Sequence, residues 1–210
     1  MNSGELSADD VVRAVWRKFR IKRRDSLPHK AWVGTRNDLA VLFAELGFNK
    51  GAEVGVEKGL YSEVLCTANP NLHLLCVDPW EVFNKADPNH IPIIYEDAKT
   101  RLAKYNTTMV KKKSIDAVRD VPTESLDFVY IDGLHEFNAV MLDIIMWTDR
   151  VKIGGIVAGH DYAQFYQGGV IQAVNAYCWH NCVFDYYVLR DREPSWLFVK
   201  RHRHYSMEWV

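Results

Sequence analysis

Short apolar runs alternate with amphipathic segments along most of the chain. Five of these runs have the length and composition of buried strands, at residues 52–56, 73–78, 107–112, 126–132 and 154–160. Segments typical of helices lie between and after them, at residues 61–68, 95–105, 114–118, 137–148 and 170–179. This alternation predicts right-handed βα units and a parallel sheet that is covered by helices on both faces.

The last two strand-like runs break the alternation. FDYYVLRD (184–191) and SWLFVKRH (195–202) are joined only by a turn at Glu193-Pro194, and so short a connection requires an antiparallel pair. We therefore expect an α/β fold with a Rossmann-like, doubly wound sheet of seven strands. The sheet should be mostly parallel, with an antiparallel C-terminal strand.

The segment before the first strand is predicted to be helical. Ser7 has the character of a helix N-cap, and a capping-box pattern that begins at Thr35 opens a second helix. We accordingly divide the chain into an N-terminal helical extension (1–46), a main domain (47–204) and a C-terminal tail (205–210).

Composition narrows the choice of partners and compartment. A chain of 210 residues with 48% apolar and 25% charged residues is typical of one globular domain, and a net charge of −1 gives no overall attraction to nucleic acid or membrane. No apolar run approaches the roughly 20 residues of a membrane helix. The acidic start MNSGELSADD is unlike a secretory signal, and four cysteines without a CxxC pair indicate reduced thiols. We therefore expect a cytoplasmic protein.

Two local clusters have competing interpretations. The basic run RKFRIKRR (17–24) could contact nucleic acid or a membrane, but a solvated helix end is the favoured interpretation. The segment Cys178-Trp-His180-Asn-Cys182 could hold a metal ion. Half-buried thiols at a helix end are favoured instead, because no second ligand pair with zinc spacing is present in the sequence.

The end of the first strand has features of a ligand-binding turn. In doubly wound sheets, ligands bind beyond the carboxyl ends of the strands. The segment from Glu53 to Gly59 contains Gly55, which allows a sharp turn and the close approach of a ligand. Gly59 lets the next helix begin nearby, with free N–H groups for an anion. The pyrophosphate fingerprint GxGxxG is absent, so a smaller anion such as a carboxylate is indicated.

The second and third strand ends suggest a nucleoside. Asp78 follows Gly55 by 23 residues, close to the spacing at which an acidic residue binds ribose hydroxyls, although an Asp that opens a turn before Pro79 is the alternative. Ser114, just past the third strand, could reach an adenine edge or cap a helix. Together these residues predict a nucleoside ligand.

Charged residues follow the fourth and fifth strands. These strands are neighbours in the usual order, so Asp132 and Asp161 should emerge side by side and repel each other unless a cation lies between them. Oxygen ligands of this kind suit Mg²⁺, and His160 could add a nitrogen ligand that favours a transition metal. His135 follows Asp132 by three residues and is a candidate proton acceptor, or else a contact at a helix start.

Four motifs, taken in order, resemble those of class I S-adenosylmethionine-dependent methyltransferases. They are Glu53-x-Gly55-x-x-x-Gly59, Val77-Asp78-Pro79-Trp80, Tyr130-Ile131-Asp132-Gly133-x-His135, and Gly154-Gly155-x-x-x-Gly159-His160-Asp161-Tyr162. The resemblance covers about residues 48–200 and is greatest to the branch of macrocin and mycinamicin sugar O-methyltransferases. It implies a seven-stranded sheet whose last strand is antiparallel.

The resemblance also implies roles for the strand-end residues. Those expected to line S-adenosylmethionine are Glu53, Gly55, Gly59, Asp78, Ser114 and Asp132. Those expected to bind Mg²⁺ or Mn²⁺ are Asp132 and Asp161, and the catalytic residues would be Asp132 and His135, with His135 as the general base. Metal-dependent relatives commonly have an acidic residue at the position of His160, or an acid or amide at that of Tyr162. This departure leaves open whether the metal is bound weakly or is absent.

The resulting hypothesis is O-methylation of a hydroxyl group on a small molecule. The loop 81–94, with Trp80, Phe83 and His90, and the basic N-terminal helix would cover the substrate. A nicotinamide-dependent oxidoreductase would require GxGxxG, which is missing. An RNA or protein N-methyltransferase, often marked by an Asn/Asp-Pro-Pro-aromatic strand end, and a non-catalytic nucleoside-binding module stay as alternatives. A homo-oligomer is compatible with the sequence, and no membrane partner is expected.

Overall fold

The computed structural model describes residues 6–22, 26–81, 90–164 and 168–202. These residues form one sheet of eight strands in the order β1-β7-β8-β6-β5-β2-β3-β4. The strands are β1 (His29–Lys30), β2 (Lys50–Val54), β3 (His73–Val77), β4 (Thr107–Val110), β5 (Leu126–Ile131), β6 (Val151–Gly159), β7 (Tyr186–Val188) and β8 (Trp196–Val199). The strands β2 to β6 pair in parallel, whereas β8 is antiparallel to both β6 and β7. The predicted fold class is therefore confirmed.

Helices cover both faces of the sheet. They are α1 (Ala8–Phe19), α2 (Arg36–Glu45), α3 (Leu60–Ala68), α4 (His90–Leu102), α5 (Ser114–Ala117), α6 (Phe137–Arg150) and α7 (Val170–His180), with a 3₁₀ turn at Val118–Asp120 after α5. Strand β5 illustrates how the two cores are separated. Phe128 and Tyr130 join the core beneath α1 to α4, whereas Val129 and Ile131 join the core beneath α6 and α7. This alternation follows from the two-residue period of a strand.

The pairing of β5 with β6 positions the acidic strand ends. Ile131 pairs with Gly159, so Asp132 and His160 leave the sheet at the same level. Strand β2 lies on the other side of β5, with Val54 paired to Ile131, and this brings Gly55 beside Asp132. The expectation that the fourth and fifth predicted strands are neighbours is confirmed.

The structure corrects several predicted boundaries. Strand β1, which pairs in parallel with β7, was not predicted because two residues carry no periodic signal. Helix α4 begins at His90 rather than Tyr95, so the predicted loop at 81–94 is wrong for its last five residues. Phe83 and the tail 205–210 lie outside the described residues.

The N-terminal helix begins and ends where its sequence allows. Ser7 and Asp10 form a capping box, and Arg20 adopts a left-handed conformation after Phe19. Part of the basic run therefore lies beyond the helix. Within it, Lys18 pairs with Glu45 at 2.6 Å, and the Lys22 ammonium lies 4.8 Å from the centre of the Trp32 ring. Two of the basic side chains thus contact other residues of the chain, and the solvated helix end stays a prediction.

Candidate active site

A cavity of about 330 Å³ opens at the carboxyl ends of the central strands. It lies between the loops that follow β2 and β5 and the first turns of α2 and α3. The residues that line it are Arg36, Glu53, Gly55, Val56, Glu57, Leu60, Tyr61, Asp132, Gly133 and His135. A volume of this size is at the lower end of the range for small-molecule sites.

Glycine is required at the turn after β2. Gly55 has φ +91°, and a Cβ atom added there would lie 2.0 Å from the main-chain oxygen of Asp132. Gly59 has φ +72° and immediately precedes α3. Both predicted positions thus adopt backbone conformations that L-residues disfavour, and the turn after β2 packs directly against the turn after β5.

Asp78 ties the turns after β2 and β3 together. Its carboxylate accepts hydrogen bonds from the backbone N–H groups of Val56 and Glu57, each at 3.0 Å, and of Trp80 at 2.7 Å. The indole N–H of Trp80 in turn donates to the main-chain oxygen of Glu57 at 2.9 Å. An ionised carboxylate has about four acceptor sites, so Asp78 retains acceptor capacity for a ligand hydroxyl.

Glu53 is a buried carboxyl group at the base of the cavity. Only 1% of the residue is exposed, and the Ser62 hydroxyl donates a hydrogen bond to it. Burial raises the pKa of Glu53 to about 8. The side chain is therefore mostly protonated at neutral pH.

Ser114 is not among the residues that line the cavity. It is the first residue of α5, and its hydroxyl donates a hydrogen bond to Asp143 and accepts one from the Trp147 indole at 2.8 Å. A serine hydroxyl has one donor and two acceptor lone pairs. The remaining lone pair could accept only from a donor such as an adenine amino group, so the predicted adenine contact stays a prediction.

The residues after β5 and β6 form a compact cluster. His135 Nε2 lies 2.9 Å from the Asp161 carboxylate and 3.9 Å from that of Asp132. His160 Nδ1 lies 3.3 Å from the Asp161 carboxylate and 3.6 Å from that of Asp132. The structure thus brings together all four residues that were predicted at these strand ends.

Protons on the two histidines offset the negative charge of the two aspartates in this cluster. The carboxylates of Asp132 and Asp161 raise the pKa of His135 to about 9. Burial opposes the effect at His160, but the same two carboxylates still raise its pKa. Although burial alone would raise the pKa of Asp161, its contacts with both histidines hold it well below its usual range. Two carboxylates that lie close together are thus compensated by positive charge from imidazoles.

The cluster has the donor set of a divalent-cation site. Within the described residues, the one group with metal-ligand spacing is formed by Asp132, His135 and Asp161, whose ligand atoms lie within 4.8 Å of one another. His160, the predicted nitrogen ligand, is not a member of this group, although its Nδ1 lies near both carboxylates. Carboxylate donors fit Mg²⁺ or Mn²⁺, whereas an imidazole donor shifts the preference toward a transition metal. Tyr162 contributes nothing to this set, because its hydroxyl donates to Asn175 at 2.6 Å.

Among the described residues, Cys178, His180 and Cys182, the segment for which a metal site was the less favoured interpretation, do not form a group with metal-ligand spacing. Cys178 is buried and Cys182 is exposed, and both are free thiols. Burial raises the pKa of the Cys178 thiol, which disfavours the thiolate that a metal would need. The prediction of half-buried thiols is wrong in detail, because one of the two thiols is buried and the other is exposed.

Arg36 and Tyr61 line the cavity but were not identified from the sequence. Arg36 Nη1 lies 3.6 Å from the Asp132 carboxylate, and the guanidinium lies 4.9 Å from the centre of the Tyr61 ring. Arg36 belongs to the helical extension before the first predicted strand, where the strand-end rule does not apply. The capping box at Thr35 indicated a helix start there, but nothing in the sequence indicated that it faces a ligand site.

Comparison with known proteins places the chain in a family. A family model described as "Methyltransferase domain" matches residues 52–162, just over half of the chain, and spans all four motifs at least in part. The chain therefore belongs to this methyltransferase family. A search of curated protein sequences finds no match.

Solved structures share the fold over nearly the whole chain. Cofactor-bound Rv0187 from MTB superimposes with a TM-score of 0.62 at 13% identity, covering 97% of this chain and 94% of the other. The O-methyltransferase TomG from Streptomyces achromogenes, in complex with SAM, gives 0.61 at 16% identity, covering 95% and 92%. The O-methyltransferase from Bacillus cereus in complex with SAH gives 0.59 at 13% identity, covering 95% and 94%. The fold is that of class I methyltransferases, and the prediction that the chain is such an enzyme is confirmed.

None of the helices in the described residues is long and apolar enough to cross a membrane.

Proposed function

We propose that this methyltransferase transfers a methyl group from S-adenosylmethionine to a hydroxyl group of a small molecule, with the help of a divalent cation. The observation that carries the proposal is the clustering of Asp132, His135, His160 and Asp161 beside the Gly55 turn. This arrangement offers a cation site and a proton acceptor next to the cavity. A hydroxyl is a weak acid and needs both kinds of assistance.

The turns after β2 and β3 would bind the cofactor. Gly55 and Gly59 leave room for its methionine part, Glu53 forms the bottom of the cavity, and Asp78 accepts a hydrogen bond from a ribose hydroxyl. Three backbone N–H groups already fix the Asp78 carboxylate, so little free energy is needed to order this side chain when the cofactor binds. Ser114 would contact the adenine through its remaining lone pair.

Asp132, Asp161 and His160 would hold the cation, and Asp132 would also contact the cofactor. A bound divalent cation supplies Lewis acidity that lowers the pKa of an acceptor hydroxyl. Together with this cation, Asp132 and Asp161 would hold the acceptor oxygen in line with the methyl group. Alignment of reacting groups is worth about 7–11 kcal/mol in favourable cases.

His135 would accept the hydroxyl proton at Nε2. This nitrogen contacts Asp161 at 2.9 Å, and with a pKa of about 9 the imidazole is protonated at neutral pH. A cation held by Asp132 and Asp161 would offset their negative charge, and the imidazole could then lose this proton and act as the base. A positioned base typically contributes about 10²–10⁴-fold to the rate.

The acceptor class is the finer part of the proposal. The motifs resemble those of the sugar O-methyltransferases, and TomG is an O-methyltransferase "involved in Tomaymycin synthesis". We therefore infer a sugar or a natural-product-like acceptor. We also retain residues 47–204 as the methyltransferase domain, preceded by the helical extension 1–46. An RNA or protein N-methyltransferase is less favoured, because a cation-and-base cluster of this kind suits a hydroxyl acceptor.

Calorimetry and labelled transfer test the proposal. The protein should bind S-adenosylmethionine and S-adenosylhomocysteine, and labelled methyl should appear on hydroxylated metabolites in a screen. Cofactor binding without transfer to any acceptor would instead support a non-catalytic nucleoside-binding module. Absence of cofactor binding would contradict the proposal as a whole.

The cation is tested separately. Chelation should reduce transfer by about 10²-fold or more, and Mg²⁺ or Mn²⁺ should restore it. Asp161→Asn should remove this dependence while leaving S-adenosylhomocysteine affinity within about threefold, since Asp161 does not line the cavity. Asp116→Asn, at an exposed position on α5, is the matched control. Transfer that is indifferent to chelator would remove the cation from the proposal.

A further inference from the structure

The charges around the cavity are distributed unevenly. Three acidic residues, Glu53, Glu57 and Asp132, line it. Among the described lining residues, Arg36 is the one that carries a permanent positive charge. A ligand whose end carries both an ammonium and a carboxylate group would match such a surface if its carboxylate faced Arg36.

The backbone of Arg36 is held by a distant part of the chain. Arg36 is the first residue of α2, and its N–H donates to both carboxylate oxygens of Asp191, at 3.0 and 3.1 Å. Asp191 lies in the turn between β7 and β8. The N–H of the neighbouring Arg190 donates to the main-chain oxygen of Gly34 at 3.1 Å. Hydrogen bonds therefore join the helical extension to the turn between β7 and β8 at two neighbouring points.

The side chain of Arg36 is held next to the start of α3. The Tyr61 hydroxyl donates to the main-chain oxygen of Arg36 at 2.8 Å, and the guanidinium lies over the Tyr61 ring. Stacking of this kind fixes the plane of an arginine and leaves its N–H edge available for an anion. Tyr61 is the second residue of α3, so this edge lies near the turn that contains Gly55 and Gly59.

The contact between Arg36 and Asp132 does not use the full capacity of the guanidinium. The distance of 3.6 Å is longer than the 2.7–2.9 Å of a charge-assisted hydrogen bond, and the side chain is one-third exposed. A guanidinium has five N–H donors. It can therefore receive a second carboxylate without first breaking a close ion pair.

We propose that Arg36 forms a subsite for the amino-acid carboxylate of the cofactor, and that the helical extension thereby completes the cofactor pocket of the methyltransferase domain. This inference depends on the proposed binding of S-adenosylmethionine. It adds a binding residue from outside residues 47–204, the region in which the sequence motifs lie.

A comparison of two ligands tests the subsite. S-adenosylhomocysteine and its decarboxylated analogue have the same nucleoside, thioether and amine, and they differ only in the carboxylate. Calorimetry on the full chain should show that wild-type protein prefers the carboxylate-bearing ligand by about 10–100-fold, the range for a charge-assisted contact. Arg36→Gln should weaken S-adenosylhomocysteine by a similar factor and leave the analogue within about threefold, while Arg36→Lys should restore part of the preference.

The control and the contrary outcomes separate this inference from the proposed function. Arg119→Gln, at an exposed position in the 3₁₀ turn after α5, should leave both affinities unchanged, and thermal melting should show that every variant is folded. If Arg36→Gln weakens both ligands equally, or leaves S-adenosylhomocysteine unchanged, the subsite is wrong although cofactor binding stands. If the wild-type protein binds neither ligand, the proposed function fails together with the subsite.

Discussion

Two halves of the carboxyl edge of the sheet hold their groups in different ways. The loop half consists of residues 55–59 and 78–80, and it is fixed by backbone conformation and by hydrogen bonds to backbone N–H groups. The charged half consists of Asp132, His135, His160 and Asp161, and it is held by ion pairs between side chains. The first arrangement is complete without a ligand, whereas the second relies on protons to offset two neighbouring carboxylates.

Because of this difference, we expect the cofactor and the cation to bind in different ways. A preformed loop half pays little for ordering when it binds a cofactor. A cation would have to displace protons from the charged half. The fraction of the protein that holds a cation should therefore depend on both pH and metal concentration. Mutations in the loop half should therefore affect cofactor affinity, and those in the charged half should affect transfer.

The largest effect is expected where the two halves touch. Gly55→Ala would place a Cβ atom 2.0 Å from the main-chain oxygen of Asp132, in a backbone with φ +91°. One of the two turns must move, at a cost of roughly 3 kcal/mol or more. We expect S-adenosylhomocysteine affinity to fall by more than about 100-fold, as measured by calorimetry, together with a lower melting temperature.

Gly47→Ala is the matched control for this change. Gly47 has φ +71°, but an added Cβ would have no neighbour within 4 Å. The substitution should cost about 1 kcal/mol of stability from backbone strain, with cofactor affinity unchanged. Equal effects of the two substitutions would show that strain alone, rather than the contact between the two halves, matters at Gly55.

The next effect is the pH dependence that Glu53 gives to stability from its position at the bottom of the cavity. Burial raises the pKa of Glu53 from 4.5 to about 8, so the folded protein binds a proton that the unfolded chain releases. The stabilising contribution of this proton is complete below about pH 4.5 and is lost as the pH rises through about 8. Between about pH 6 and pH 8 the free energy of unfolding should fall by about 2 kcal/mol more in the wild type than in Glu53→Gln.

Urea denaturation at the two pH values measures this difference. The pKa of His135 is also raised, so its stabilising contribution is likewise lost as the pH rises above about 6.5. Only the difference between the wild type and Glu53→Gln therefore measures the contribution of Glu53. Glu45→Gln, at an exposed position on α2, should follow the wild type. A parallel pH dependence in Glu53→Gln would contradict the assignment of a protonated Glu53.

The loop half and the sheet were largely predictable from the sequence. Apolar runs of strand length alternate with helical segments, and this pattern is a local property of the chain. Gly55 and Asp78 follow directly from it, because residues at the ends of parallel strands meet at one edge. To predict that Asp132 and Asp161 lie side by side, we had to assume only the usual strand order in addition to this pattern.

The rest depended on contacts between distant segments. Arg36 reaches the cavity because its backbone binds Asp191, and a pairing across more than 150 residues leaves no periodic signal. The hydrogen bonds of Ser114 with Asp143 and Trp147 were hidden for the same reason. Strand β1 forms only because β7 offers a free edge to two residues of an otherwise irregular segment.

The smallest effect should sharpen the contrast between the halves. Trp80→Phe keeps an aromatic ring against Tyr95, whose centre lies 4.9 Å away, but removes the N–H that donates to the Glu57 oxygen. One lost hydrogen bond of this kind costs about 1 kcal/mol, so S-adenosylhomocysteine affinity should fall about threefold to tenfold. The metal concentration for half-maximal transfer, measured at saturating cofactor, should not move, and Trp179→Phe at an exposed position should change neither quantity. A shift in metal dependence with Trp80→Phe would mean that the loop half and the charged half are coupled through more than the Gly55 contact.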